Sequence, residues 1–261
     1  MLFGIGLGLV LGYGGVLGAL YLSQSSLIYP APQLGVRVLQ GYHEVRYTTA
    51  DGLTLTALYR APSPGKYTLL FFHGNGDSWE GAAAANRLPA EAGFGVLLVE
   101  YRGYGSNPGK PSEQGLYADG RAALAWLKSE QGIDPGQIVL IGNSLGSGTA
   151  TQLATETRVA GLVIISGFTN LPQVVADKLP WVPARLLTRD SYNNQAKLSS
   201  VRAPVLLLHG LGDTMIGPDH ARALARAKPD ARLVLVPGFG HELAYSDTSQ
   251  IALLGWLNRL R

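Results

Sequence analysis

Cysteine is absent from this chain of 261 residues. Disulfide scaffolds, thiolate zinc sites and cysteine nucleophiles are therefore excluded. Charge of either sign is also scarce, with 21 basic and 18 acidic residues and no run of lysine or arginine, so nucleic-acid binding has little support. Because hydrophobic residues make up 46% and charged residues 15%, a disordered chain and a solvated coiled coil are excluded as well.

The first charged side chain is Arg37, so the N-terminal segment carries no charge. As a helix, residues 1–22 would span about 33 Å, close to the ~30 Å hydrocarbon core of a bilayer. We predict a retained single-pass membrane helix over 1–22 and a linker over 23–41. A cleaved signal peptide and a buried core helix are the alternatives. Neither flank is rich in lysine or arginine, so the side of the membrane that the remaining chain occupies is not predicted.

Glycine recurs at every fourth position near the N-terminus, at Gly4, Gly8 and Gly12. This spacing is typical of a face that another helix approaches closely, and it predicts a homodimer through these residues. The alternative is that glycine is simply frequent in this segment.

From residue 42 onward, short apolar runs alternate with helical patterns. This alternation predicts an α/β fold with a mostly parallel sheet covered by helices on both faces. The first two strands flank Asp51-Gly52, which predicts a type I′ hairpin and an antiparallel edge. We assign residues 42–261 to one catalytic domain, with a small cap inserted at about 167–203. The strands are expected at Tyr42–Thr49, Leu53–Arg60, Tyr67–Phe72, Val96–Val99, Ile138–Ile141, Leu162–Ile165, Val205–Leu208 and Leu233–Val236. Helices are expected over Ser78–Ala92, from Ser112 to Lys128, and over Ser144–Thr155, Asp219–Ala227 and Ala244–Leu260.

Residues 142–146 read Gly-Asn-Ser-Leu-Gly between a predicted strand and a predicted helix. Small residues two before and two after a serine permit the strained turn of a nucleophile elbow, which exposes the hydroxyl. The motif alone is weak in a glycine-rich chain, and the strand-to-helix context strengthens it. The alternative is a glycine-rich turn with a capping serine. We predict Ser144 as a nucleophile.

A serine nucleophile needs a base and a residue that orients the base, in the chain order serine, acid, histidine for this kind of sheet. Asp213 lies in a loop after one strand, and His241 lies in a glycine-rich loop after the last strand. We predict these two as the acid and the base. His209 is expected to be buried and to support the acid loop, and His220 to lie on a surface helix.

The tetrahedral intermediate of acyl transfer needs hydrogen-bond donors for its oxyanion. The backbone N–H of Leu145 follows the nucleophile directly. The second donor is expected from the glycine-rich loop 73–77, with the backbone of Asn75 as the preferred group. The alternative for this loop is a turn without a catalytic role.

The insertion before Val205 is apolar, and prolines interrupt it. We predict a small cap at the membrane surface that admits acyl chains, with Trp181 and Leu186 as substrate-binding residues. The alternative is that these side chains merely cover the sheet.

Seven motifs stand in one order along the chain after residue 27. Together they resemble the BEM46-like group of α/β-hydrolases, which includes the α/β-hydrolase domain-containing proteins 13 and 17. The motifs are LIYP at 27–30, HGNG at 73–76, EYRGYGSNPGKPSEQGLYADG at 100–120, GNSLG at 142–146, SGFTNL at 166–171, HGLGD at 209–213 and GFGH at 238–241.

The resemblance implies a Ser144–Asp213–His241 triad, oxyanion donors at Asn75 and Leu145, and hydrolysis of an acyl ester or thioester, often of a lipid. Asn143 departs from the group, in which a charged or larger residue often precedes the serine. Relatives anchored through palmitoylated cysteines have no counterpart in a chain without cysteine, so a depalmitoylating role is not transferable.

The predicted function is therefore that of a membrane-anchored serine hydrolase that cleaves carboxylic esters, with monoacylglycerol-like lipids among the substrates. We expect no cofactor and no metal. There is no P-loop, no H-E-x-x-H and no cluster of metal ligands in the sequence. A thioesterase or peptidase of the same fold stays open, as does a non-catalytic protein that binds a ligand.

Overall fold

Eight strands form a single mixed sheet at the centre of the molecule. The computed structural model describes residues 2–33 and 38–260. In chain order the strands are β1 (His43–Thr48), β2 (Thr54–Arg60), β3 (Thr68–Phe72), β4 (Gly95–Val99), β5 (Ile138–Asn143), β6 (Gly161–Ile165), β7 (Val205–Gly210) and β8 (Arg232–Val236). Their order across the sheet is β1-β2-β4-β3-β5-β6-β7-β8. All eight predicted strands form.

Helices connect the strands. They are α1 (Leu2–Ile28), α2 (Trp79–Ala85), α3 (Arg87–Glu91), α4 (Glu113–Ser129), α5 (Gly146–Glu156), α6 (Leu171–Lys178), α7 (Ala184–Leu187), α8 (Asn194–Leu198), α9 (Asp219–Ala227) and α10 (Asp247–Leu257). The single helix predicted over Ser78–Ala92 is wrong: two short helices meet at Asn86, whose φ of −115° is not helical. The predicted closing helix from Ala244 also divides, into a 3₁₀ turn over His241–Tyr245 and α10.

The parallel strands β3 to β7 are buried along their whole length because helices cover both faces of the sheet, whereas in the edge strand β8 only Val236 is buried. Side chains alternate between two cores, as the two-residue period of a strand requires. Leu70 and Phe72 join the core under α4 and α5, whereas Leu69 and Phe71 join the core under α2, α3 and α10. The predicted mostly parallel sheet with helices on both faces is confirmed.

The first two strands form the predicted antiparallel edge, with His43 paired to Tyr59 and Thr48 to Thr54. The predicted type I′ turn is wrong. That turn needs positive φ at both central residues, and here only Gly52 has one, at 86°. The Gly52 N–H donates to the Thr49 carbonyl at 2.9 Å. The hairpin loop therefore has three residues, 50–52, instead of two. Within it, the Asp51 carboxylate accepts from the Arg102 guanidinium at 2.7 Å.

The N-terminal helix α1 continues past the predicted boundary at residue 22 and ends at Ile28. Polar contacts dock it on the cap: the Tyr13 hydroxyl donates to the Trp181 carbonyl at 2.8 Å, and the Gln24 amide donates to the Leu187 carbonyl at 3.2 Å. None of the helices in residues 2–33 and 38–260 combines the length and apolarity that a membrane crossing requires. The predicted membrane helix therefore gains no support.

The predicted dimer through Gly4, Gly8 and Gly12 stays a prediction. Open space surrounds Gly8 and Gly12. The linker predicted over 23–41 overlaps the last turns of α1, and residues 34–37 of it lie outside the described chain.

The insertion between β6 and β7 forms a cap of three short helices, α6, α7 and α8. The Asn170 side chain caps α6 by accepting from the Gln173 N–H at 2.8 Å. Pro180 and Pro183 lie between α6 and α7, because proline cannot donate within a helix and bends the chain away. Because the cap follows β6 in the chain, it begins at the carboxyl end of that strand.

Candidate active site

Ser144 occupies a tight turn between β5 and α5. Its φ is 50°, in the left-handed region that costs a non-glycine residue about 1–2 kcal/mol. The turn requires glycine two positions before and two positions after the serine. A Cβ at Gly142 would lie 2.5 Å from the Gly146 carbonyl oxygen, and a Cβ at Gly146 would overlap the Phe72 carbonyl. The backbone N–H of Ser144 is held by the Ile165 carbonyl at 2.9 Å.

The structure brings Ser144, His241 and Asp213 together from three separate loops. His241 Nε2 lies 3.0 Å from Ser144 Oγ, and His241 Nδ1 lies 2.8 Å from Asp213 Oδ2. A carboxylate only accepts hydrogen bonds, so Nδ1 carries the proton and Nε2 is left to accept from the serine hydroxyl. These contacts form one hydrogen-bonded chain from carboxylate to hydroxyl.

Asp213 is held ionised by a dense set of donors. Its Oδ1 accepts from the backbone N–H of Met215 at 2.9 Å and of Ile216 at 2.8 Å. Burial raises the pKa of Asp213, but hydrogen bonds from His209, His241 and the Ile216 backbone outweigh it, and the pKa falls well below its usual range. His209 is fully buried beside this loop, as predicted, with Nε2 3.4 Å from Asp213 Oδ2.

The loop between β3 and α2 lies directly beside the serine. A Cβ at Gly74 would be only 3.5 Å from Ser144 Cβ, and Asn75 lines the same pocket as Ser144. In the described part of the chain, the backbone N–H groups of Asn75 and Leu145 donate to no other group. Two unused donors are therefore available, one directly after Ser144 and one in the loop beside it, from the residues predicted for an oxyanion hole.

The pocket around Ser144 has a volume of about 380 Å³, within the ~300–1,000 Å³ typical of small-molecule sites. Two of its lining residues are bonded to each other, because the Tyr245 hydroxyl donates to Asp77 at 2.6 Å. The sequence motifs did not single out Met215, Glu242 and Tyr245, whose positions depend on how distant loops meet. The lining residues are Gly74, Asn75, Gly76, Asp77, Asn143, Ser144, Met215, His241, Glu242 and Tyr245.

Trp181 and Leu186 lie on the outer surface of the cap, 49% and 85% exposed. Neither lines the pocket around Ser144. Their neighbours Val182, in the turn before α7, and Leu187, at the end of α7, turn inward instead. Leu186 and Leu187 differ because adjacent residues of a helix face different directions. The prediction that Trp181 and Leu186 bind substrate is not supported by their placement.

A second, apolar cavity of about 240 Å³ lies between α1 and the cap. Lys178 is its only charged lining residue in the described chain, and its ammonium group donates to the Thr214 carbonyl in the loop that carries Asp213. The lining residues are Leu20, Tyr21, Gln24, Leu27, Ile28, Val174, Val175, Lys178, Leu179, Val182, Leu187 and Thr188.

His220 was expected on a surface helix, but only 6% of it is exposed. Its Nε2 lies 3.0 Å from Asp177 Oδ2 of the cap, and its Nδ1 accepts from the Thr169 N–H at 3.1 Å. The His220 imidazole therefore links helix α9 to the cap by hydrogen bonds. The contacts come from residues distant in the sequence, so the local pattern could not show them.

Comparisons with known proteins agree with this architecture. A family profile described as "alpha/beta hydrolase fold" matches residues 67–192. The α/β-hydrolase domain-containing protein 17B of Xenopus tropicalis is 32% identical over 196 residues, which cover 74% of this chain and 67% of that protein. This chain belongs to the α/β-hydrolase family. An uncharacterized protein of Mycobacterium tuberculosis is 39% identical over 235 residues, covering 87% of this chain and 83% of the relative.

Among solved structures, this α/β-hydrolase is similar to the esterase Pf2001 of Pyrococcus furiosus, with a TM-score of 0.70 over 89% of this chain and 95% of the esterase. At 20% identity, that likeness concerns the fold. The match to the Xenopus protein agrees with the family resemblance drawn from the motifs.

Proposed function

We propose that this α/β-hydrolase is a serine esterase that works through an acyl-enzyme. The observation that carries the proposal is the hydrogen-bonded chain from Asp213 through His241 to Ser144, placed beside two unused backbone N–H groups. A ligand-binding protein without catalysis has no need of this combination, which orients a hydroxyl, a base and an oxyanion site toward one point.

In the first half of the reaction, Ser144 Oγ attacks the carbonyl carbon of the ester while His241 Nε2 takes the hydroxyl proton. The carbonyl π electrons move to oxygen, and the N–H groups of Asn75 and Leu145 bind that oxyanion. When the tetrahedral intermediate collapses, the C–O bond to the alcohol breaks. The His241 imidazolium gives its proton to the departing alkoxide, which leaves as alcohol.

In the second half, water replaces the alcohol. His241 takes a proton from the water, whose oxygen attacks the acyl carbon, and the same N–H groups hold the new oxyanion. The bond to Ser144 Oγ then breaks, and the proton on His241 returns to that oxygen. Asp213 keeps the imidazole in the productive tautomer throughout and stabilises its charged form.

An activated serine should react with a fluorophosphonate probe. We expect wild-type protein incubated with the probe to gain one phosphonyl adduct, which tryptic mass spectrometry places on Ser144, because a serine without a base and an oxyanion site is inert. Heat-denatured protein serves as the control and should gain none. An adduct on another serine, or none on folded protein, would overturn the proposal.

For the substrate we propose esters of fatty acids. The support is the apolar cavity between α1 and the cap, together with Lys178, which links the wall of that cavity to the loop bearing Asp213 and Met215. At about 240 Å³, the cavity exceeds the ~150 Å³ that holds a benzene molecule in an engineered protein core. It therefore has room for a short stretch of acyl chain.

We also propose that the enzyme acts on its substrate at a lipid surface. Apolar side chains on α1 and the cap face outward, including Leu9, Leu22 and Leu186, which are 70%, 76% and 85% exposed. Burying such side chains in a lipid surface is favourable by roughly 25 cal/mol per Å² of apolar area. Two of them, Leu22 and Leu186, are adjacent in sequence to the cavity-lining residues Tyr21 and Leu187.

Filling the apolar cavity should shorten the preferred acyl chain. In Val175→Trp, we expect kcat/KM for 4-nitrophenyl dodecanoate to fall by about tenfold or more, because one or two lost chain contacts in an apolar pocket each cost about 1–3 kcal/mol. Hydrolysis of 4-nitrophenyl acetate should stay near the wild-type rate. Ile251→Trp, which places the same side chain on the exposed face of α10, is the control. An unchanged dependence on chain length would rule out this cavity as the acyl site.

A further inference from the structure

His73 is a buried, ionisable group that the mechanism above does not use. It follows β3 directly and has no exposed surface. Strand β3 lies between β4 and β5, with Phe72 level with Val99 on one side and Gly142 on the other. The residues that follow these strands, Glu100 and the serine turn, therefore lie on either side of His73.

Both ring nitrogens of His73 face hydrogen-bond acceptors. Nδ1 lies 2.7 Å from the Gly74 carbonyl oxygen, and Nε2 lies 3.0 Å from Glu100 Oε1. A carbonyl only accepts, so Nδ1 carries a proton. The Glu100 side chain is 5% exposed, its other oxygen accepts from the Trp79 N–H at 3.2 Å, and a carboxylate only accepts hydrogen bonds. Nε2 therefore carries a proton too, and His73 is an imidazolium.

The other groups around the His73 imidazole are also compatible with a positive charge on the ring. Burial lowers the pKa of His73, but the Glu100 and Asp77 carboxylates raise it, and the net shift is upward. The remaining titratable neighbours are Tyr101 and Tyr104, whose rings lie 4.4 Å and 5.5 Å from the imidazole. Their phenols are uncharged and donate to the backbone carbonyls of His73 and Asn75.

The contact at Nδ1 controls the direction of a second group. The Gly74 carbonyl and the Asn75 N–H belong to the same planar trans peptide, so they point in opposite directions. The carbonyl is held on one side by His73 at 2.7 Å and by the Asp77 N–H at 3.3 Å. The Asn75 N–H is therefore turned to the other side. A charged donor on the carbonyl also polarises the peptide and strengthens that N–H as a donor.

We propose that His73, held as an imidazolium by Glu100, is a positioning residue that aims and polarises the Asn75 N–H toward the oxyanion. This rests on the proposed esterase function. Glu100 holds both ends of the loop between β3 and α2, because one carboxylate oxygen binds His73 Nε2 and the other accepts from the Trp79 N–H. When His73 loses a proton at high pH, the remaining proton stays on Nε2 with the carboxylate. The Nδ1 lone pair then faces the Gly74 carbonyl, and the peptide is released.

Two substitutions separate this role from a merely structural one. An asparagine side chain places its amide nitrogen near the position of Nδ1, and a glutamine side chain places its amide nitrogen near that of Nε2. His73→Asn therefore keeps a donor for Gly74, whereas His73→Gln keeps one for Glu100. We expect kcat for 4-nitrophenyl acetate to fall further in His73→Gln, by up to about 10²-fold as for a lost oxyanion donor, with KM little changed and both variants equally stable.

The pH dependence gives an independent readout. Because the folded-state pKa of His73 is raised, its second proton is retained to a higher pH than in an ordinary histidine and is lost as the pH rises through that pKa. Wild-type kcat should decline on this alkaline side, and His73→Asn, which does not titrate, should lack that step. Asp177→Asn breaks the other His–carboxylate pair of 3.0 Å, with His220, and should keep the wild-type profile.

Nitrogen-15 NMR of histidine-labelled Ser144→Ala protein tests the charge without activity. One imidazole, absent from His73→Asn, should have both nitrogens mainly protonated at pH 6.5, about the pKa of an ordinary histidine, and Glu100→Gln should remove one of those protons. A neutral His73 in this experiment, or equal kcat in the Asn and Gln variants, overturns the inference. If the wild type hydrolyses no ester while NMR shows the imidazolium, the esterase proposal fails instead, and with it the positioning role.

Discussion

Ser144→Ala should lower kcat for ester hydrolysis by about 10⁶-fold, the loss seen when the nucleophile of a hydrolytic triad is removed. The missing hydroxyl ends the acyl-enzyme route, and only attack by water beside the oxyanion donors is left. The change should leave the fold intact, because the Ser144 side chain bonds only His241 in the described chain. Alanine adopts the φ of 50° with strain similar to that of serine.

Steady-state hydrolysis of 4-nitrophenyl acetate and thermal unfolding check this prediction. Ser129→Ala, at the exposed end of α4, is the control and should retain wild-type kcat. If kcat of Ser144→Ala stays within tenfold of the wild-type value, another group attacks the ester. The turn that carries Ser144 would then have only a structural role.

Asp213→Asn should lower kcat by about 10⁴-fold, although the side chain keeps its size. The asparagine carbonyl is expected to take over the contacts with the backbone N–H groups of Met215 and Ile216. Its amide NH₂ then faces His241 Nδ1 and donates to it. The imidazole proton is forced onto Nε2, where it faces Ser144 instead of leaving a lone pair for the hydroxyl proton.

The same substitution should alter acid stability. The pKa of Asp213 is depressed in the folded protein, so it contributes stability that is present above the ordinary aspartate pKa of about 3.9 and is lost as the pH falls. Asp213→Asn should therefore lower the unfolding midpoint at pH 7 more than at pH 3. Asp219→Asn, on the exposed start of α9, is the matched control. Full activity in Asp213→Asn would exclude Asp213 as the residue that orients the base.

Much of the site could be predicted because its signals are local. The glycines at 142 and 146 are needed for a turn that spans five residues, and the strand before it reads as a buried apolar run. Asp213 and His241 each follow such a run in a glycine-rich loop. Since carboxyl ends of parallel strands share one edge of a sheet, three loops far apart in the sequence were expected to meet, and they do.

The cap was harder to predict for a physical reason. Pro180 and Pro183 break its helices into pieces too short for a clear period, so the inward and outward faces cannot be read from spacing. Trp181 and Leu186 turned outward, while Val182 and Leu187 line the cavity. Burial there depends on where α1 lies, and α1 is more than 140 residues away along the chain.

By itself, the sequence determined the α/β class, the eight strands, the serine elbow and the two loops that carry its partners, because periodicity and turn chemistry act over a few residues. Only the tertiary structure decided which groups touch. It placed Glu100 against His73 and so implied a buried imidazolium, brought Asp177 to His220, and formed a cavity between α1 and the cap. These contacts join residues tens to more than a hundred positions apart, and their energies depend on burial and distance, which no local pattern encodes.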